Sequence, residues 1–199
     1  MKPSEERILT THVGSLIRPA ELLAAGEAAH GGGPGAEAAY SELLQSAVAE
    51  VVKKQTEAGI DIVNDGEYGK SSWAAYVLER MTVFERRPDQ LRPVEWMGRD
   101  LERFRDAILA EMPSAVEGRP TEACIGPIAY AETGAVERDC ATLKAALKGH
   151  QVEEAFLTAV APASTAYDGV DEHYGNEHDY IYAIADALRE EYTAIHESG

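Results

Sequence analysis

Residues 41–67 read SELLQSAVAEVVKKQTEAGIDIVNDGE, and this stretch decides the fold class. Leu43, Leu44, Ala47, Val48, Val51 and Val52 recur three and four residues apart, which predicts a helix from Ser41 to Ala58 with one buried face. Gly59 then stands where a helix closes with a left-handed residue, a conformation that costs glycine nothing. Ile60-Asp61-Ile62-Val63-Asn64 follows at once as a strand and runs into the polar turn Asp65-Gly66-Glu67-Tyr68-Gly69-Lys70. Helix, glycine, strand and polar loop in that order is the repeat of a parallel α/β protein.

Working outward, Ile8 to Val13 reads as a short buried first strand, stopped by Arg18-Pro19 because proline donates no ladder hydrogen bond. A helix is expected from Ala20 to Ala29, followed by the loop His30-Gly31-Gly32-Gly33-Pro34-Gly35. No Lys-Ser/Thr pair follows these glycines, so they do not read as a phosphate cradle. Downstream, Ser71 to Pro120 reads as an excursion with helices at Ser72–Arg80 and Arg99–Glu111 and charged turns around Arg86-Arg87-Pro88. A third strand is expected at Thr121–Ile128, closed by Gly126-Pro127, then a helix marked by Val136, Cys140, Leu143 and Leu147 and ended by Gly149. A fourth strand fits Val152–Val160, before Ala161-Pro162 and an acidic loop from Tyr167 to Tyr174. Asn176, with Asp179 three residues on, caps a final helix carrying Ile181, Ile184, Leu188, Tyr192 and Ile195 on one side.

The expected fold is therefore α/β, a partial (β/α)8 TIM barrel of about four β/α units, with residues 1–199 forming a single incomplete domain. A small open sheet is the alternative. A half-barrel leaves a bare strand edge and an uncovered core face. The expected remedy is a complementary C-terminal half or self-association.

Eighteen Lys and Arg against 35 Asp and Glu give a formal charge of −17, which disfavours a nucleic-acid backbone or an anionic membrane surface as partner. With 45% hydrophobic residues the chain has material for a core. It has no apolar run long enough to span a bilayer. Cys124 and Cys140 form no CxxC pair, and the start MKPSEERILTT lacks an apolar signal core, so the expected location is cytoplasmic.

Ligands of parallel α/β proteins lie at the carboxyl ends of the strands, here His12-Val13-Gly14-Ser15, Asn64-Asp65-Gly66-Glu67, Gly126-Pro127 and Pro162-Ala163-Ser164. Gly14 lets a ligand approach backbone amides that suit a carboxylate, the Ser15 hydroxyl adds a donor, and Glu67 complements an ammonium. Together they describe a site for an amino acid; the competing reading is a plain turn and a solvated loop. His12 reads either as a contact to ligand or metal or as an imidazole bonded to backbone. Cys124 and Cys140 read as small buried residues. His173 and His178, among Asp171, Glu172, Glu177 and Asp179, belong to a solvated acidic loop or to a divalent-ion site. Trp73, Tyr76 and Trp96 either roof the pocket or simply pack.

Thr10-Thr11-His12-Val13-Gly14-Ser15-Leu16-Ile17-Arg18-Pro19 resembles the opening strand of the catalytic domain of cobalamin-independent methionine synthases. Ala58-Gly59-Ile60-Asp61-Ile62-Val63-Asn64-Asp65-Gly66-Glu67 resembles that family's second unit, and Ala183-Ile184-Ala185-Asp186-Ala187-Leu188-Arg189-Glu190-Glu191-Tyr192 its fourth helix. The resemblance implies a (β/α)8 methyltransferase that moves a methyl group from a folate to the thiol of homocysteine, held by zinc as thiolate. It also implies that Val13, Gly14, Ser15 and Glu67 bind the substrate's amino-acid moiety, and His12 beside them is expected as an extra polar contact to the substrate, a proton carrier or a metal neighbour. The family's zinc ligands come from the second half of the barrel, so no metal ligand is expected in this chain and little catalysis from it alone. His12 stands where the methionine synthases have a small hydroxyl residue, and in this it is closer to a branch that includes alkyltransferases acting on coenzyme M. The alternative function is a non-catalytic half-barrel module that dimerises.

Overall fold

The helix predicted within residues 41–67 is present and longer than expected. In the computed structural model, which describes residues 4–72, 75–92, 98–112 and 117–199, it runs from Ala36 to Glu57. In chain order the elements are α1 (Ala20–His30), α2 (Ala36–Glu57), β1 (Ile62–Asn64), a 3-10 segment (Ala75–Arg80), β2 (Phe84–Arg92), α3 (Gly98–Arg103), α4 (Arg105–Glu111), β3 (Arg119–Cys124), α5 (Gly134–Ala146), β4 (Glu154–Phe156), α6 (Pro162–Asp168), β5 (Gly169–Asp171) and α7 (Glu177–Glu197). The chain divides into two compact units: Met1–Tyr76 with Glu132–Val160 and Glu190–Gly199, and Val77–Ala131 with Ala161–Arg189.

In the first unit α2 buries Leu44, Ala47, Val48, Val51, Val52 and Gln55, one stripe at helical spacing. The stripe meets Leu22 of α1, Val63 of β1, Tyr68, and Leu143 and Ala146 of α5. Val52 and Val63 are 0% exposed, and burying each such side chain contributes about 1.5–3 kcal/mol. Gly59 ends α2 as expected, with φ 79°. β1 pairs in parallel with β4, Ile62 opposite Glu154 and Asn64 opposite Phe156. On its other side Thr11 makes one parallel bridge to Ile62. The N-terminal segment is tied down by polar contacts: Asp61 accepts hydrogen bonds from Arg7 (2.6 and 2.8 Å) and from the Thr10 amide (2.8 Å).

In the second unit β3 pairs antiparallel with β2 and parallel with β5. Pro88, which has no N–H to give, falls in the register irregularity between Arg87 and Leu91. Ala123 and Cys124 of β3 and Ile184 and Leu188 of α7 are buried. Arg119 pairs with Asp168, and Arg92 donates to the carbonyls of Tyr167 and Gly169, binding this sheet to the α6–β5 junction. The α7 cap forms as expected: the Asn176 side chain accepts from the Asp179 amide at 2.9 Å and donates to the Asp179 carboxylate at 2.9 Å.

The structure is mixed α/β, as expected, but among the described residues four strands do not line up in one parallel sheet. The sheets are a two-stranded parallel pair and a three-stranded mixed one. The predicted first strand shrinks to the Thr11 bridge, and Ile8 and Val13 are 86% and 73% exposed rather than buried. The predicted third strand joins the mixed sheet as β3, because its partner is β2, formed by the residues read as charged turns at Arg86-Arg87-Pro88. Exposed charged side chains on both sides of β2 conceal the strand from periodicity. The predicted fourth strand persists only at Glu154–Phe156, and part of the acidic loop is α6 and β5. The helix expected at Arg99–Glu111 breaks at Phe104 (φ −121°, ψ 24°) and buries no residue. No helix among the described residues is long and apolar enough to cross a membrane.

Candidate functional site

The ends of the parallel segments in the first unit are fixed by a buried polar stitch. Gln55, on the apolar face of α2, donates to the Asn64 carbonyl (2.7 Å) and accepts from the Asn64 amide (3.1 Å), so β1 ends on satisfied backbone groups. The Asn64 side chain in turn donates to the His12 carbonyl (2.6 Å) and accepts from the Gly66 amide (2.8 Å). Leu16 N–H donates to the Gly66 carbonyl at 3.1 Å. These bonds hold the segment after Thr11 against the turn after β1.

That turn contains two consecutive left-handed residues, Gly66 (φ 67°) and Glu67 (φ 59°). A side chain at Gly66 would meet the Tyr68 ring at 3.1 Å in a left-handed conformation, so the position favours glycine. Glu67 has no such exemption, and its conformation is held by neighbours. The Asp65 carboxylate accepts from the Glu67 amide (3.0 Å), and Arg18 donates from Nη2 to the carbonyls of Glu67 (2.7 Å) and Lys70 (2.8 Å). The outcome is that Ser15 Oγ donates to Glu67 Oε2 at 2.5 Å across 52 residues of sequence. Glu67 is 7% exposed while Ser15 lies at the surface, so the bond runs from the surface to a buried carboxylate.

Around this pair lie further buried polar groups. Lys70, 6% exposed, donates from Nζ to Thr158 Oγ1 (2.6 Å) and to the Thr158 carbonyl, and lies 4.8 Å from the centre of the Tyr76 ring. The Tyr76 hydroxyl donates to Glu191 at 2.9 Å. Burial pushes the Lys70 ammonium below its ordinary pKa, against the charges of Asp65, Glu67, Glu191 and Asp139. Burial also pushes the Asp65 carboxyl up, opposed by its bond from the Glu67 amide. Chemically, the pair presents a buried carboxylate as acceptor with a hydroxyl that donates to it.

The predicted residues fall as follows. Ser15 and Glu67 come together. Gly14 takes φ 99° with open space where a Cβ would stand, and Val13 points largely to solvent. The His12 ring is partly buried, its Nε2 3.1 Å from the Gly14 carbonyl, which is the backbone-bonded arrangement. Gly126-Pro127 and Pro162-Ala163-Ser164 belong to the second unit. Trp73 and Trp96 lie outside the described residues; Tyr76 is buried and packs against Lys70. Sequence reading passed over Gln55, Lys70 and Thr158. Only Gln55 left a signal, a polar side chain at the next position of the Leu44, Val48, Val51 stripe.

Zinc, implied by the resemblance, finds no donor set here: among the described residues no three His, Cys, Asp or Glu side chains converge as a metal site. Cys124 is buried and donates to the Gly126 carbonyl at 3.3 Å, and Cys140 is buried in α5. Asp171, beside His173, spends both oxygens on the amides of His173, Tyr174 and Gly175.

No protein-family model and no curated protein matches the sequence. Among solved structures, a B12-independent methionine synthase from Shewanella sp. W3-18-1 in complex with selenomethionine matches with TM-score 0.62 and 19% identity, over 96% of this chain and 48% of that one. A putative vitamin-B12 independent methionine synthase from Listeria monocytogenes matches with TM-score 0.62 and 21% identity, over 97% of this chain and 51% of that one. At these identities the likeness is one of fold: the chain is built like part of a B12-independent methionine synthase and spans about half the length of the structures it matches.

Proposed function

We propose that this chain carries the amino-acid-binding part of a methionine-synthase-like methyl- or alkyltransferase whose acceptor is a thiol such as homocysteine. The observation that carries the reading is the contact between Ser15 and Glu67 at the exits of two neighbouring parallel segments. In this reading Glu67 accepts the substrate ammonium through its carboxylate. The backbone around Gly14 and the Ser15 hydroxyl, which turns from Glu67 as the ligand ammonium takes its place there, receive the substrate carboxylate, and His12 orients that backbone through the Gly14 carbonyl. The fold likeness to B12-independent methionine synthases supports the same class. Zinc and the methyl-folate or alkyl donor belong, on this proposal, to residues outside these 199, and residues 1–199 act as one incomplete barrel domain in the cytoplasm. A thiol without a metal stays largely protonated at neutral pH, with a pKa near 8.5, so this chain binds without turning over.

Titration with L-homocysteine, alone and with a candidate complementary half plus zinc, tests the reading. Glu67→Ala is expected to weaken binding by about 1–3 kcal/mol, the range for a hydrogen-bonded charged group. Unchanged affinity removes Glu67 from the site.

A second reading, a non-catalytic module that pairs with another copy, is favoured by one observation. Ile8, Val13 and Ile17 of the segment bordering β1 are 86%, 73% and 94% exposed, an apolar edge of the kind that invites pairing. Mass measurement in solution decides it: a monomer at micromolar concentration excludes the self-paired form.

A further inference from the structure

We propose that Lys70 is a positioning residue that sets the Glu67 carboxylate for an ammonium ligand by clamping the turn after β1 to the segment after β4. This deepens the reading of the Ser15–Glu67 site and, for its ligand arm, rests on it.

A buried ammonium is costly, and an apolar side chain of similar length is cheaper where stability alone is served. Lys70 nonetheless sits 6% exposed and, among the described residues, directs its donors to the carbonyl and hydroxyl of Thr158 and to the Tyr76 ring and not to a carboxylate in contact. Thr158 lies two residues past Phe156, the end of β4, while Lys70 lies six past Asn64, the end of β1. The clamp therefore joins the exits of two paired strands that are otherwise held together over only three residues each. Its backbone reaches the ligand-facing residue directly. The Lys70 amide donates to the Glu67 carbonyl at 3.2 Å, and Arg18 bridges the carbonyls of the same two residues. Glu67 is in a left-handed conformation that a non-glycine residue keeps only when its surroundings enforce it. With Lys70 anchored, the Glu67 carboxylate is held toward Ser15 at the surface. Among the described residues no cation pairs with the Glu67 carboxylate, whose side-chain partner is the Ser15 hydroxyl, so it is left for a positively charged ligand.

The test uses the full chain with Lys70→Met, Thr158→Val and Thr158→Ser, the last keeping the hydroxyl. Hydrogen exchange of the segment 64–70 is read without ligand. Binding is read with L-homocysteine and with its des-amino analogue 4-mercaptobutanoate. Expected are exchange about tenfold faster in Lys70→Met and measurably faster in Thr158→Val, with Thr158→Ser as wild type. A loss of about tenfold in homocysteine affinity is expected for Lys70→Met, with the des-amino thiol within about twofold. Should Lys70→Met fail to fold, Thr158→Val against Thr158→Ser carries both readouts. Wild-type exchange in variants that fold, or equal losses for the two thiols, overturns the positioning role. If the wild-type protein binds neither thiol, the substrate reading falls while the exchange arm still decides whether Lys70 holds the turn.

Discussion

Replacing Glu67 by glycine and by alanine separates what this residue does for binding from what it costs the fold. Both changes delete the carboxylate and the Ser15 hydrogen bond, so both are expected to lose the proposed binding of an ammonium. They differ only in the backbone. At φ 59° an alanine retains the steric cost of the left-handed region, about 1–2 kcal/mol, while glycine does not. Glycine gives part of this back through its freer unfolded chain, about 0.5–1 kcal/mol. The net expectation is that Glu67→Gly is more stable than Glu67→Ala by about 0.5–1 kcal/mol. For a chain of this length that corresponds to a difference of about 1–4 °C in melting temperature. Paired urea and thermal melts of the two variants check it. Equal stability, or a more stable alanine variant, would refute the claim that the turn stores backbone strain at the position proposed to meet the ligand.

Gln55→Leu keeps the volume on the α2 stripe but strips the Asn64 amide and carbonyl of their partner. Leaving two buried backbone groups unpaired is expected to cost about 2–5 kcal/mol in urea unfolding, and a cost under about 0.5 kcal/mol would show that the stitch is replaceable. Asp61 has its carboxyl held well below the usual carboxylate range by the Arg7 guanidinium, with help from the Thr10 amide. A depressed carboxylate stabilises fully above its unfolded pKa, near 3.9, and the contribution fades as pH falls from there toward the lower folded value. The stability gap between wild type and Asp61→Asn is thus expected to be constant from pH 7 to 5 and to narrow toward pH 2. Denaturation midpoints across that series check it, and a gap independent of pH would sink the assignment.

The unit that opens the sequence reading was legible because local rules agreed. Leu44, Ala47, Val48, Val51 and Val52 share one helical face, Gly59 takes the left-handed position, and Val63 is fully buried. The meeting of Ser15 and Glu67 was legible at one remove: if both follow parallel neighbouring strands, their side chains emerge at the same end. Where local signals were ambiguous the reading went astray. Ile8 and Val13 are apolar and β-branched, yet among the described residues their segment pairs through the single bridge from Thr11 to Ile62 and they stay exposed. The stretch Phe84–Arg92 carries its charges on both faces and a proline within it, so nothing local marks a strand.

Composition and periodicity alone determined that this chain is a mixed α/β protein built on amphipathic helices, and that its polar turns follow strands. These are properties of nearest neighbours along the chain. Tertiary structure alone decided which strands pair, dividing them into a parallel pair and a mixed triplet. It also decided that Lys70 is buried against Thr158, 88 residues away in sequence, and that Glu67 is strained into place beside Ser15. Strand pairing and buried polar contacts depend on groups distant in sequence finding each other in a low-dielectric interior. Their partners are fixed only when the whole core closes.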